Sequence, residues 1–396
     1  MLLSRFVNES PMTSSTNSLD PLFDSGPFPH FQKSLGLFRP VGQKVVPRAV
    51  FSVLLGWVPI IALVAASGLR SEVLSSLFSD FAVHARSLLA VPLLILAEGI
   101  CLPRLEEIAR HFVKAGLVNE QDYDNFSRRV DSTRRLMNST LAEVIAIVGA
   151  YGIVFMLYRN SLSVTVPSWY LTLGGVRTWA GLWYCFISAP LLLILAFGWL
   201  WRLVLWGRFL FHVSNMRLVL ISSHPDRASG LSFLGSSLLH FTPLSFTLGV
   251  VTAGSVANRV IYGGESLDDI KKTIIGLVIF VIILFIGPLL VFVGNLRRAK
   301  IDGIFQYGKL AGRVGQEFEG KWLARKVDDE ALQAPDFSAT TDLYQVVSNV
   351  YAMGAFPFGL RGLVGLAVSA LLPFVPVVLM TFPLKVILKE LASLLI

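Results

Sequence analysis

Long apolar stretches recur along the chain, and polar or charged sequence separates each one from the next. The seven stretches cover residues 49–67, 88–102, 140–158, 179–201, 231–256, 273–296 and 363–382. A membrane-spanning helix needs about 20 apolar residues, because the hydrocarbon core of a bilayer is about 30 Å thick. A helix also satisfies its backbone polar groups internally, as the bilayer demands. The pattern therefore predicts an all-α fold, a polytopic membrane helix bundle with about seven transmembrane helices.

The polar stretches divide the rest of the chain. Residues 1–47 are rich in Ser, Pro, Asn and Asp and predict a disordered cytoplasmic tail, which leaves residues 48–396 as the transmembrane domain. Residues 104–136 are densely charged with apolar residues at near-helical spacing, which predicts a cytoplasmic helical hairpin. Residues 297–353 predict further amphipathic cytoplasmic helices. Residues 71–87 form a shorter amphipathic stretch, which is predicted to lie at the membrane interface.

The composition agrees with a membrane protein. Hydrophobic residues make up 54 % of the chain, charged residues make up 15 %, and the mean hydropathy is +0.65. The net charge of +8 raises the question of nucleic acid, but no basic run interleaved with aromatic residues occurs. Of the 34 Lys and Arg, 24 fall in the tail and in the loops on its side of the membrane, against nine in the other loops. Because positive loops stay in the cytoplasm, we predict an inside N-terminus, an outside C-terminus and no nucleic-acid partner.

Motifs of soluble enzymes are missing from the sequence. The two cysteines, Cys101 and Cys185, lie far apart in apolar stretches and support neither a disulfide framework nor a metal site. No Cys-x-x-Cys, His-Glu-x-x-His, phosphate-binding loop or Gly-x-Ser-x-Gly occurs. We therefore predict no catalytic residue, no metal and no cofactor, and the sequence favours a protein that is not an enzyme.

Charged residues near the ends of predicted spans are the first candidates for function, because a charge inside a bilayer is costly. Glu98 and Glu143 lie about one helical turn inside the second and third spans, and Arg202, Arg208 and His212 lie at the end of the fourth. All five are predicted at a similar depth on the cytoplasmic side. Two readings stay open. The acids pair with arginines to hold the bundle together, or the group lines a vestibule for an ion or a small charged solute.

The fifth span carries the second set of candidates. Its polar or small residues recur at four- or seven-residue intervals and so share one helix face: Ser236, His240, Thr247, Gly254 and Asn258. His240 is predicted about 15 Å deep, near the middle of the bilayer. Pro243 is predicted to kink the helix. The stripe serves either helix packing, which we favour, or the lining of a pore.

A short polar junction, residues 224–231, joins the fourth and fifth spans and reads His-Pro-Asp-Arg-Ala-Ser-Gly-Leu. His-Pro-Asp is also the signature of J-domain co-chaperones, but there it joins two soluble helices, whereas an apolar span follows here. Pro225 is predicted to end the preceding element, Asp226 to cap the following helix and Gly230 to permit close approach. Arg227 is then available to pair with an acid or a lipid phosphate. His224 is predicted at the same depth as the charged group.

Further motifs accompany the junction and carry a resemblance. Ser-Phe-Leu-Gly follows it directly, then Ala257-Asn258-Arg259, then Gly-Pro-Leu-Leu-Val-Phe at 287–292 and Ala-Leu-Leu-Pro-Phe-Val-Pro at 370–376. With these motifs the chain resembles a family of uncharacterised bacterial multi-pass inner-membrane proteins that carry His-Pro-Asp-Arg-Ala-x-Gly-Leu between two transmembrane helices. One departure is Ser229, where that family has glycine. The resemblance implies the bacterial inner membrane and assigns no functional residue.

Two functions follow from these observations. The first is a channel or transporter for a small ion or solute, built as a homo-oligomer, with the intramembrane charges along its path. The second is a membrane scaffold or signalling protein that binds a cytoplasmic partner through residues 104–136 and 297–326. An intramembrane enzyme ranks third, because no second acid, base or metal cluster is spaced to join His224 and Asp226. The lipid bilayer is a partner in every case.

Overall fold

The computed structural model describes residues 45–66, 71–160, 167–171, 176–264, 267–323 and 335–381. Regular secondary structure within these ranges is helical. Two isolated antiparallel β-bridges also occur there, between Val118 and Leu218 and between Leu171 and Arg177. The predicted tail falls almost entirely outside the described residues. The all-α fold class is confirmed.

The helices are numbered in chain order. They are α1 (Val45–Ala66), α2 (Ser71–Phe78), α3 (Phe81–Lys114), α4 (Tyr123–Met137), α5 (Thr140–Asn160), α6 (Trp179–Ser214), α7 (Ser232–Gly263), α8 (Asp268–Trp322), α9 (Pro335–Tyr351), α10 (Leu360–Leu371) and α11 (Phe374–Thr381). Within the described ranges six of them, α1, α3, α5, α6, α7 and α8, are long and apolar enough to cross a membrane. The pair α10 and α11 makes a seventh if its 46° bend lies within one span. The chain is a multi-pass membrane protein.

The outer surface of the bundle is apolar, as a lipid environment requires. The most exposed large side chains of α5 are each at least 60 % exposed: Leu141, Ile145, Val148, Phe155, Met156 and Leu157. In water, each of these exposed side chains would lose the stabilisation of about 1.5–3 kcal/mol that burial provides. A soluble fold does not accept that loss along a whole helix. In a bilayer the same side chains contact lipid tails.

Helices α3, α6 and α7 form the centre of the bundle. Half of the apolar part of α3 and of α7 is buried, against 22 % for α5. Helix α1 packs along α3, α6 packs on α4 and α5, and α7 packs on α10 and on the start of α3. The ring of Phe112 on α3 contacts Phe209 on α6 and Phe292 on α8, with ring centroids 6.5 and 6.0 Å apart. We call the end of the bundle near residues 224–231 the junction end, and the opposite end, where α3 begins, the distal end.

Helix α3 corrects the predicted second span, residues 88–102. It begins at Phe81, so Arg86 of the predicted interfacial stretch lies inside it. It also continues through Pro103 to Lys114 and takes in the first part of the predicted hairpin. The loss of one backbone donor at Pro103 is offset because the neighbouring Leu102 and Leu105 are buried.

Helix α7 corrects the predicted fifth span, residues 231–256. It starts with a 3₁₀ turn, Ser232–Gly235, and a short helix, Ser236–His240, and it breaks at Phe241 before the long segment Thr242–Gly263. Pro243 lies in the first turn of that segment, where its missing N–H has no helical acceptor to lose. Pro243 therefore starts the long segment and does not kink it.

Helices α8 and α9 pack together as an arm that leaves the junction end of the bundle. The part of α8 from Val293 to Trp322 has 30 residues, which is about 45 Å of helix. Phe337 of α9 packs on Phe318 and Trp322 of α8, with ring centroids 4.9 and 5.0 Å apart. The orientation of the bundle across the membrane stays a prediction.

Candidate functional site

Glu98 on α3 is buried between two arginines. Its Oε2 accepts from Nη1 of Arg48 on α1 at 3.0 Å, and its Oε1 accepts from Nη1 of Arg202 on α6 at 3.4 Å. Glu98 and Arg202 are each 2 % exposed. The Arg202 guanidinium also lies over the ring of Trp199, 4.9 Å from its centroid. Trp199 donates its own N–H to the Leu94 carbonyl at 2.9 Å.

This arrangement corresponds to the first interpretation of the charged group, in which the acids pair with arginines and hold the bundle together. One carboxylate joins α1, α3 and α6, and removing it would leave two guanidinium groups side by side. Nε and Nη2 of Arg202 are buried without a hydrogen-bond acceptor in the described part of the chain. The predicted pairing of Glu98 with Arg202 is present, whereas Arg48 is a partner that the sequence did not indicate.

Arg208 and His212 lie apart from Glu98 and Arg202. Nη2 of Arg208 donates to the Ser132 hydroxyl on α4 at 3.2 Å. His212 has Arg208 and Arg129 of α4 as charged neighbours. Glu143 is buried near the start of α5. Arg202 and Arg208 separate because six residues place them about 120° apart around a helix, so they face different neighbours.

His240 lies near the surface charges of the junction end. It ends the short helix Ser236–His240, and its charged neighbours are Arg104 and Glu107. Those two side chains form an exposed ion pair at 2.9 Å. The predicted depth near the middle of the bilayer stays a prediction.

Other residues of the predicted stripe bond within α7 or pack against α3. The Thr247 hydroxyl donates to the Pro243 carbonyl at 2.8 Å, and the Ser236 hydroxyl donates to the Phe233 carbonyl at 2.6 Å. Gly254 lies where α7 crosses α3, and a Cβ atom added to it would overlap the side chain of Ala85 on α3. The pore-lining reading finds no support in these three positions.

Asn258, the last residue of the stripe, belongs to a polar cluster at the distal end. Its Nδ2 donates to Oδ1 of Asp80 at 2.7 Å, and its Oδ1 accepts from the Ala82 N–H at 3.4 Å. Asp80 is 5 % exposed and caps the start of α3 by accepting from the Val83 N–H at 3.1 Å. Oδ2 of Asp80 accepts from the indole N–H of Trp169 at 3.1 Å. Asp80 therefore ties α3, α7 and residues 167–171 together.

Arg86 and Tyr184 form the second part of this cluster, and both lie on π-helical segments. These segments are residues 85–90 of α3 and 184–188 of α6, and each has a backbone hydrogen bond that spans five residues and ends on the carbonyl of Arg86 or of Tyr184. Nη1 of Arg86 donates to the Tyr184 hydroxyl at 3.1 Å, and its Nη2 donates to the Ser255 hydroxyl of α7 at 2.9 Å. π-Helical turns are rare and occur often at functional sites.

The cluster lines a cavity of about 420 Å³ that is open on one side. Its polar wall contains Asp80, Arg86, Ser255, Asn258 and Arg259, and its aromatic wall contains Trp169, Tyr170 and Tyr184. Burial raises the pKa of Tyr170, and its hydrogen bond with the Cys185 thiol raises that pKa further, so this phenol is neutral at physiological pH. The volume lies in the range of small-molecule sites. We call it the distal cavity.

Sequence reasoning found Asn258 and missed the other members of the distal cavity. Asp80 directly precedes the apolar run Phe-Ala-Val, and an aspartate in that place is a helix-start signal. With the span begun there, Arg86 becomes a charge inside a span and so a candidate. No sequence signal marks a π-helical turn, and none brings Trp169 and Tyr184 to the same place.

Asp226 holds the junction together. Its carboxylate accepts from the backbone N–H groups of Ala228 at 2.9 Å, Gly230 at 3.1 Å and Ser232 at 3.1 Å. Burial acts to raise the pKa of Asp226, but these bonds and the nearby His224 ring outweigh it and hold that pKa below its usual range. Ser232 begins α7, so Asp226 caps this helix as well as the loop.

The junction has unusual backbone geometry and docks on the segment after α9. Arg227 and Ser229 have φ of +56° and +54°, a region that favours glycine, and Gly230 has φ of +90°. The Arg227 carbonyl accepts from the Gly354 N–H at 2.8 Å, and the Ser229 hydroxyl donates to Sδ of Met353 at 3.3 Å. The Arg227 side chain is exposed and pairs with no acid among the described residues.

Pro225 does not follow a helix directly. Helix α6 ends at Ser214, and the chain then runs through a bridge at Leu218 before it reaches the proline. The junction borders a cavity of about 230 Å³ whose wall includes His111, His224 and Asp226.

Comparisons with known proteins find nothing similar: no protein-family model, no curated protein and no solved structure matches the chain. Within the described ranges no group of three or more His, Cys, Asp or Glu is placed to hold a metal ion.

Proposed function

We propose that this membrane protein is a transporter for a small ion or polar solute, which it binds in the distal cavity. The observation that carries the proposal is the cavity of about 420 Å³, in which a buried carboxylate, a guanidinium and aromatic rings converge. Sites for small molecules combine such a volume with a few convergent polar groups. Polar and charged groups are expensive within transmembrane segments and often mark solute pathways.

The packing beneath the distal cavity favours a carrier over an open channel. Twelve residues of α3 separate Arg86 from Glu98, which is about 18 Å of helix. Ala90, Val91 and Leu94 lie between them and are buried. A solute that enters the distal cavity therefore meets a closed core. Carriers alternate between states that are open on one side, and the Glu98 group is the contact that such a change has to rearrange.

The sequence supplies the remaining parts of the proposal. The predicted orientation places the distal cavity on the outer face of the membrane, and the family resemblance implies the bacterial inner membrane. We also propose a homo-oligomer. Mass photometry of the protein in lipid nanodiscs tests this last point, and a uniform monomer contradicts it.

Uptake into proteoliposomes tests the transport function. Purified full-length protein is assayed with labelled acetate, phosphate, glycine, ethylammonium and glycerol, against protein-free vesicles. We expect uptake of at least one solute class, and we expect Ser255→Phe to abolish it by filling the distal cavity. Ser75→Phe, on the exposed surface of α2, is the matched control and should leave uptake unchanged. Folded protein that takes up none of the five solutes contradicts the proposal.

A second function, binding of a cytoplasmic partner protein, is favoured by one feature of the arm. Ile301, Phe305 and Leu310 are 44 %, 74 % and 43 % exposed on α8. Exposed apolar side chains among charged ones are typical of helices that dock on a partner. One stoichiometric partner that co-purifies with the native protein, and is lost from the Phe305→Ser, Leu310→Ser variant, supports this function. Retention of that partner by the variant contradicts it.

A further inference from the structure

The charges around the distal cavity indicate which solutes it fits. Its wall holds two guanidinium groups, Arg86 and Arg259, and one carboxylate, Asp80. The oxygens of Asp80 already accept from the Val83 N–H, the Asn258 amide and the Trp169 indole. Three donors aimed at one carboxylate occupy its acceptor sites and give it a structural role. The net charge of the wall is therefore positive.

The Arg86 guanidinium has N–H donors that are not used in hydrogen bonds within the described part of the chain. A guanidinium carries five N–H donors, and Arg86 gives two hydrogen bonds, both to neutral hydroxyl groups. No carboxylate pairs with it directly in the described part of the chain, and Asp80 acts on it only at longer range. A partly buried guanidinium without a direct counter-charge is best stabilised by an anion, because charge-assisted hydrogen bonds are the strong ones.

Tyr184 adds a donor next to Arg86. Its oxygen accepts from Arg86, and its own hydroxyl proton has no acceptor among the described residues. Ser255 differs, since its hydroxyl donates to the Val251 carbonyl at 2.9 Å. Arg86 and Tyr184 therefore offer adjacent donors to a ligand in the distal cavity, whereas Ser255 does not.

The π-helical turns are independent support for a functional role of Arg86 and Tyr184. Each turn inserts an extra residue into a central helix, and the two turns meet at the hydrogen bond between Arg86 and Tyr184. A π turn is rare in helices and is found often at functional sites. Two of them at one contact place the pair at the centre of the site.

We propose that the distal cavity binds an oxyanion, the carboxylate or phosphate group of a small solute, with Arg86 as its charge partner and Tyr184 as its second donor. The inference deepens the proposed transport function, and it rests on that function only for the movement of the anion. The phosphate of a lipid headgroup has the same chemistry, so the experiment has to separate the two sources.

Thermal unfolding of the full-length protein in an uncharged detergent tests the binding. The protein is titrated with sodium phosphate and with sodium acetate, and with sodium chloride and ethylammonium chloride at equal ionic strength. We expect phosphate, acetate or both to raise the unfolding temperature saturably. Arg86→Gln should weaken the apparent affinity about tenfold or more, because it removes the charge from the bound pair. Tyr184→Phe should weaken it less.

Two further variants keep the test decisive. Arg104→Gln makes the same change on an exposed part of α3 and should leave the affinity unchanged. Arg86→Lys keeps the charge and should retain part of the affinity, so it serves if Arg86→Gln does not fold. The inference is overturned if neither anion stabilises the protein, if stabilisation persists in both Arg86→Gln and Tyr184→Phe, or if ethylammonium is the ion that stabilises.

The source of the oxyanion is separated by adding a short-chain phosphatidylglycerol to the same detergent. Stabilisation by this lipid through Arg86, without any effect of free phosphate or acetate, overturns the inference of a small-solute ligand and assigns the site to a lipid headgroup. Anion binding together with a negative uptake assay contradicts the transport function alone. Uptake of ethylammonium or glycerol without anion binding contradicts the oxyanion inference alone.

Discussion

The Glu98→Gln substitution tests how much stability the buried charged group contributes. In the native protein Oε2 of Glu98 is 3.0 Å from Arg48 and Oε1 is 3.4 Å from Arg202. Glutamine keeps the size and one acceptor but removes the negative charge. Two guanidinium groups then face each other, and Arg202, which is 2 % exposed, has no route to water.

The expected loss is about 3 kcal/mol. Removing one partner of a buried ion pair costs about 3–5 kcal/mol, because an uncompensated charge stays behind. Arg48 keeps 17 % of its side chain exposed, so water screens part of its charge and the low end of that range applies. A loss of this size lowers the unfolding temperature by about 4 °C, because the unfolding entropy of a 396-residue chain is about 0.8 kcal/mol per degree.

The assay is thermal unfolding in detergent with Glu107→Gln as the matched control. Glu107 lies on the same helix and pairs with Arg104 at 2.9 Å, but the two side chains are 68 % and 57 % exposed. Exposed pairs contribute about 0–1 kcal/mol, so the control should hardly change. Adding Arg202→Met to Glu98→Gln should recover part of the loss, because the buried charge goes too. Equal unfolding temperatures for Glu98→Gln and Glu107→Gln refute the reasoning.

Other substitutions test the junction and the crossing of α3 and α7. The folded-state pKa of Asp226 is lowered, so its contribution is complete above pH about 4 and is lost as the pH falls through that lowered pKa. The Asp226→Asn variant should be less stable than the native protein at pH 7 and should not lose this contribution in acid. Parallel stability profiles of the variant and the native protein from pH 7 to 3 contradict this prediction. Gly254→Ala should lower the free energy of unfolding by about 1–3 kcal/mol, because its Cβ would overlap Ala85. Gly276→Ala should leave the free energy of unfolding unchanged, because no atom lies within 4 Å of a Cβ added there. Equal losses from the two substitutions refute the close crossing of α3 and α7. Ser229→Val should lower the unfolding temperature and Ser229→Gly should not, because φ is +54° there; the reverse order contradicts the left-handed geometry.

The distal cavity shows why the sequence indicated so little of the candidate site. Asn258 was found because it shares a helix face with other polar residues, a property of one helix alone. Asp80, Trp169 and Tyr184 come from three separate segments, and their meeting depends on how α3, α6 and α7 cross. Arg86 was missed because the span was begun too late, at residue 88 and not at Phe81.

Hydropathy alone predicted the all-α class and a multi-pass bundle, because a bilayer constrains the length and composition of each helix separately. Tertiary structure decided which charges meet. Arg202 faces Glu98 while Arg208 faces α4, since the rotation of each residue about its helix selects its neighbour. It also decided that His240 lies beside Arg104 and Glu107, and that two π-helical turns bring Arg86 to Tyr184. Turns of this kind depend on packing between helices, and no single stretch of sequence encodes that packing.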